Sequence, residues 1–114
     1  MVHTIDEHFT DRSPAVRDMY EMLVAASRDF GPFEEDPKKT SIHLNRKYAF
    51  AGIRTQKNAL VLTVKAVGDI PSRRIAKRQQ ASAKRWYHDI KISALDEIDH
   101  EIVDWLRASY EVSG

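Results

Sequence analysis

Three short β-type segments joined by two tight links constrain this chain more than any other feature. Lys38 to Asn45 alternates, with Thr40, Ile42 and Leu44 on one side and Ser41, His43 and Asn45 on the other. Tyr48 to Arg54 is a second such segment, interrupted by Gly52, and Leu60 to Ala66 is a third and the most apolar. The links, Asn45-Arg46-Lys47 and Gln56-Lys57-Asn58, are rich in turn formers. Links that short favour consecutive antiparallel pairing, because a parallel neighbour needs a crossover of about a dozen residues. Arg85 to Ile92 repeats the alternation, with Trp86, His88, Ile90 and Ile92 sharing one side, and is expected to be a fourth strand. Trp86 is expected in the core.

Helical signals stand at both ends. Ile5 to Phe9 reads as one helical turn capped by Thr4, with Asp6 and Glu7 at the positive end of its dipole. Ser13 and Pro14 then open a helix over about residues 14–30, whose Val16, Met19, Tyr20, Leu23, Ala26 and Phe30 form one apolar face. Gly31 and Pro32 stop it. Phe33 to Pro37 reads as a polar connection. Ser93, with Asp96 three positions on, is expected to open a last helix over about residues 94–110, with Leu95, Ile98, Ile102, Trp105 or Leu106, and Tyr110 inward. The order predicts an α+β domain spanning residues 1–114. An antiparallel four-stranded sheet carries the N-terminal and C-terminal helices on one face, over a core including Leu23, Phe50, Leu62, Ile90, Ile102 and Leu106. Gly68 to Lys84 resists the same treatment. A short helix from Ser72 to Gln79 and an irregular crossing loop both remain open.

Charge supplies the strongest functional signal. The net is +1, yet residues 1–37 hold 3 basic and 9 acidic side chains, residues 38–91 hold 14 and 2, and residues 92–114 hold 1 and 6. An acidic–basic–acidic chain either neutralises itself on folding or presents an anion-binding surface. The absence of cysteine excludes disulfides, thiolate nucleophiles and Cys-ligated metals. No apolar run is long enough to cross a membrane, and Met1 to Glu7 lacks the features of a secretory signal, so a cytoplasmic location is expected.

Catalytic chemistry finds little footing. No HExxH occurs; His43 and His88 lie on strands and are the pair that might converge on a metal. Ser41, His43 and Asp89 supply the residue types of a nucleophilic triad, but a serine within a regular strand lacks the sharp turn and oxyanion hole. Lys38-Lys39-Thr40-Ser41 lacks the glycine-rich run of a phosphate loop. No metal, cofactor or catalytic set is therefore expected. The better candidates bind anions without chemistry. Lys38, Lys39, Ser41, His43, Lys65 and Tyr87 fall on or beside the sheet face opposite the helices. Arg73, Arg74, Lys77, Arg78 and Arg85 lie in a stretch without one acid from Pro71 through Tyr87. Arginines make bidentate phosphate contacts, and an aromatic ring can stack a base.

Four blocks also carry a family resemblance. They are His8-Phe9 with Ser13-Pro14-Ala15-Val16-Arg17, Gly31-Pro32 with Pro37 to Ile42, Ala49 to Ile53 with Leu60-Val61-Leu62, and Trp86-Tyr87-His88 running into the last helix. Together, over nearly the whole chain, they resemble the prokaryotic domain-of-unknown-function 5655 (DUF5655) family. The resemblance implies a stand-alone protein or a module appended to larger ones, some nuclease-like, and implies no catalytic mechanism. The sequence thus leads to a non-catalytic module that engages an anionic partner, nucleic acid or phosphate, through a basic sheet face and crossing loop. The alternatives are a protein-interaction or self-association module using its acidic helices, and a small-ligand or enzymatic domain.

Overall fold

In a computed structural model, which describes residues 2–114, the chain forms a six-stranded antiparallel sheet with two helices. The helix α1 spans Pro14–Arg28. The strands are β1 (Glu34–Pro37), β2 (Ile42–Asn45), β3 (Ala49–Thr55), β4 (Leu60–Ala66), β5 (Ile75–Ser82) and β6 (Arg85–Ile92), and helix α2 spans His100–Glu111. Single 3₁₀ turns cover Asp6–Phe9 and Leu95–Glu97. The strand order is β1-β2-β3-β4-β6-β5, every pair antiparallel.

The α+β class stands, but the expected four strands become six. β1 arises in the acidic stretch read as a connection. It is a short edge strand ending at Pro37, and Tyr20 fastens it by donating a 2.6 Å hydrogen bond to Glu35. β5 occupies residues 75–82, where a helix or a crossing loop was expected, and hairpins onto β6 through Ala83 and Lys84. Only Ile75 of its eight residues is buried, so it carries no apolar alternation to read. Its backbone pairing to β6 makes it a strand. The expected strand from Lys38 is also shorter, because the Lys38 N–H bonds the Ser41 carbonyl at 2.7 Å and closes a turn before β2.

Both helices bury their apolar stripes on one side of the sheet. Val16, Met19, Tyr20 and Leu23 of α1 share a single core with Ile102, Leu106 and Tyr110 of α2 and with Ile42, Leu44, Ile53, Leu60, Leu62, Val64, Ile90 and Ile92 of the sheet. All six expected core residues lie in it, each no more than 1% exposed. Trp86 does not: it is half-buried, stacked on His88 with ring centroids 6.0 Å apart. Leu95 is exposed as well.

The caps are partly as expected. Thr4 accepts from the Glu7 N–H at 3.2 Å, while Glu7 accepts in return from the Thr4 N–H. The last helix begins later than residue 94, and its cap is Asp99, which accepts from the Ile102 N–H at 3.2 Å. Ser93 instead gives its N–H to Glu97. Gly31, at φ +140°, lets the chain pass Tyr110, whose hydroxyl would stand 2.5 Å from any added Cβ.

Candidate functional site on the open sheet face

Strand register places every second residue of β2, β3, β4 and β6 on the side away from the helices. Gly52 stands between His43 and Thr63, Lys65 pairs with Tyr87, and Val61 pairs with Lys91. These positions form an open hollow of about 700 Å³, bordered by Ser41, His43, Tyr48, Arg54, Lys65, Arg85 and Tyr87 with Gly52 and Thr63 in its floor. That volume lies within the ~300–1,000 Å³ range of small-molecule clefts. A smaller depression of about 260 Å³ continues it past Tyr87, lined also by Lys77, Gln79 and Asp89.

Lys65 is the unusual member. It is only 9% exposed, and burial, with Arg85 nearby, lowers its ammonium pKa from the ordinary 10.5. Its Nζ lies 5.9 Å from the Tyr48 ring centroid, and Lys47 sits 5.6 Å from the same centroid. Arg85 reaches the site from the strand beside β4, diagonally across from Lys65. Among the described residues, no carboxylate lies within ion-pairing distance of Lys65, Lys77, Arg85 or Lys91. Arg54 differs. It donates to Asp89 at 3.0 Å, and Asp89 also accepts from Thr63 at 2.6 Å. Asp89 is thereby partly neutralised, and Asp36, across from His43 on β1, is engaged by Lys38 and Asn45.

The remaining sequence-derived candidates are placed elsewhere. Lys38 is paired with Asp36 at 2.9 Å, which holds that carboxyl below its usual range, and Lys39 is exposed in the turn outside the hollow. Arg73 is exposed. Arg74 points to the helix side, where it donates to Asp99 at 2.8 and 3.0 Å, to Glu101 at 3.2 Å, and to the Glu97 carbonyl. Arg78 also lies on that side. It donates to Asp69 at 2.9 Å and to the Ile70 carbonyl at 3.0 Å. A register shift between Ile75 and Lys77 divides the basic run, leaving Lys77 opposite Asp89 and Arg78 opposite His88. The basic stretch is therefore not one surface. Arg74 and Arg78 are removed from the anion-binding set by acids of the helix side.

Two arrangements that the sequence made conceivable are not brought together. His43 and His88 lie on opposite faces and cannot share a metal; His88 is fully buried among helix-side residues, 3.1 Å from Asp69. Asp89 is engaged with Thr63 and Arg54 rather than with His43. Sequence reasoning missed Tyr48, Gly52 and Arg54 as members of the hollow. The signal for Gly52 and Arg54 was available, since they alternate with Ala51 and Ile53 of the core.

Residues 5–113 match the family described as Domain of unknown function (DUF5655). No curated protein and no solved structure matches the chain.

Proposed function

The chain belongs to the DUF5655 family, and we propose that in this member the open sheet face binds an anionic partner, with nucleic acid the leading class. The observation that supports it is Lys65. A cation 9% exposed, beside a second cation and without a carboxylate partner among the described residues, is costly in a fold that does not use it. An incoming phosphate supplies the missing counter-charge. Ser41 and Thr63 add hydroxyls, while Tyr48, Tyr87 and His43 add flat rings. The acidic helices lie across the sheet and do not cover this face. The proposed role is binding.

The test is fluorescence anisotropy with a labelled oligonucleotide at several salt concentrations. Wild type should bind with a negative slope of log affinity on log salt. Lys65→Met combined with Arg85→Gln should weaken binding and flatten that slope by about 0.7–0.9 for each lost phosphate contact. Lys39→Gln combined with Arg73→Gln, at exposed positions outside the hollow, should change binding much less. Equal losses in the two double variants would defeat the assignment to this face.

A further inference from the structure

The floor of the hollow is glycine without a structural need for glycine. A Cβ built on Gly52 would meet Thr63 Cβ at 3.8 Å and His43 Cδ2 at 3.9 Å, ordinary contacts on both sides, and its φ lies outside the positive region that excludes other residues. A glycine inside a strand weakens that strand and packs nothing. What it provides is bare backbone at the bottom of a basin rimmed by His43, Tyr48 and Tyr87. Lys65 and Arg85 stand at one side of this bare patch. Beyond Tyr87 the second depression leads on to Lys77. Across the strands the face therefore presents His43, the bare floor at Gly52, then Thr63 and Lys65, then Tyr87 flanked by Arg85 and the Arg54-bound Asp89, and last Lys77.

Resting on the anion-binding reading above, we propose that the ligand is single-stranded nucleic acid. One unpaired base lies flat over Gly52 among the three rings. Its phosphate faces Lys65 and Arg85, and the strand crosses Tyr87 toward Lys77. Stacking on aromatic rings tolerates any base, so recognition is of strandedness more than of sequence. A duplex keeps its bases paired and stacked inside the helix and has none to place in the hollow. It could touch the cations only with its backbone.

Gly52→Val isolates the base from the phosphate. Its Cβ fits, valine favours strands, and its methyl groups would stand where the base lies. Three probes are titrated into wild type, Gly52→Val, Gly52→Ala and Lys65→Met: a single-stranded oligonucleotide (as oligo-dT and oligo-U), a hairpin duplex of equal charge, and polyphosphate, which has no bases. Wild type should prefer the single strand over the duplex about tenfold or more at equal salt. Gly52→Val should lose about tenfold on the single strand, equivalent to the loss of one stacked base. Its polyphosphate affinity and salt slope should stay unchanged and its melting temperature should not fall. Lys65→Met should weaken all three probes. Gly52→Ala, the smaller change, should lie between wild type and Gly52→Val and serves as the test if the valine variant misfolds. Duplex binding equal to single-strand binding, or single-strand binding indifferent to both Gly52 changes, would overturn this inference while leaving anion binding in place. Wild type that binds none of the probes would overturn both.

Discussion

Ser109→Ala tests how the open face is held from behind. Ser109 is fully buried on α2, and its hydroxyl joins two strands through their backbones. It donates to the Phe50 carbonyl at 2.6 Å and accepts from the Lys65 N–H at 2.9 Å. These groups lie just beyond Ala51 and Val64, the last paired residues at that end of the β3–β4 ladder. The helix thus supplies the hydrogen bonds that the ladder stops short of making. Alanine leaves one buried donor and one buried acceptor unpaired, each costing about 1–3 kcal/mol. Its better helix propensity returns at most about 0.5 kcal/mol. The expected loss is about 1.5–6 kcal/mol, a large share of the ~5–15 kcal/mol that holds a domain together. At roughly 4 °C per kcal/mol for a chain of this size, the melting temperature should fall by about 6–24 °C. Urea unfolding with an unchanged m-value measures the same loss independently. Ser27→Ala is the control. Ser27 is equally buried, but its hydroxyl bonds only the Leu23 carbonyl four residues back in the same helix. Its loss should be within about 1 kcal/mol. A Ser109→Ala protein as stable as wild type, or equal losses at the two serines, would refute the bridging role.

Arg74→Ala should lower stability by about 1–2 kcal/mol, seen as a melting point about 4–8 °C lower, because Arg74 ties the start of β5 to the carboxylates at the start of α2; Arg73→Ala, exposed, should cost under about 0.5 kcal/mol. Lys65 gives a pH prediction. Its folded pKa lies below the 10.5 of the free side chain, so between the two values the unfolded chain binds more protons and stability should rise with pH. Urea midpoints measured at a series of alkaline pH values should show that rise in wild type relative to Lys65→Met; parallel profiles for the two proteins would count against a desolvated ammonium.

What could be read from the sequence followed burial. α1 was legible because Val16, Met19, Tyr20 and Leu23 recur at helical spacing toward a core, and β4 because Leu60, Leu62 and Val64 alternate toward the same core. β5 was not, since seven of its eight residues face solvent and its strand character comes from β6. β1 was hidden by acids and a terminal proline, composition that suits an edge and resembles a loop. The start of α2 was misplaced because Ser93-Ala94-Leu95-Asp96 has the outline of a cap, while the working cap lies at Asp99. Within the site, strand parity was enough to bring Ser41, His43, Lys65 and Tyr87 together. Arg78 lay outside that argument, in a stretch open between a short helix and a crossing loop, and the bulge in β5 turns its side chain to the helix side.

The acidic–basic–acidic pattern offered two outcomes, internal neutralisation or an exposed basic surface, and the sheet divides the basic residues between them. On the helix side Arg74 and Arg78 are taken up by Asp99, Glu101 and Asp69. On the open side Arg54 is tied to a carboxylate, while among the described residues Lys65, Lys77 and Arg85 have none within ion-pairing distance. The acids of α1 and α2 are separated from these by the sheet and its packed core, and among the described residues none lies within ion-pairing distance of them. Neutralising one side therefore does not silence the other. Packing does not require a charge at residue 65 either. A methionine there would keep the apolar stem without the desolvated ammonium, and Thr63, two residues earlier on the same face, is neutral. The fold thus keeps a local disadvantage where a neutral residue would serve it better. The proposed binding role accounts for that conflict. The same argument applies to Gly52, where an ordinary side chain would fit and strengthen the strand. Two such positions facing one hollow, one supplying charge and the other supplying space, are what the proposed anionic and flat ligand requires.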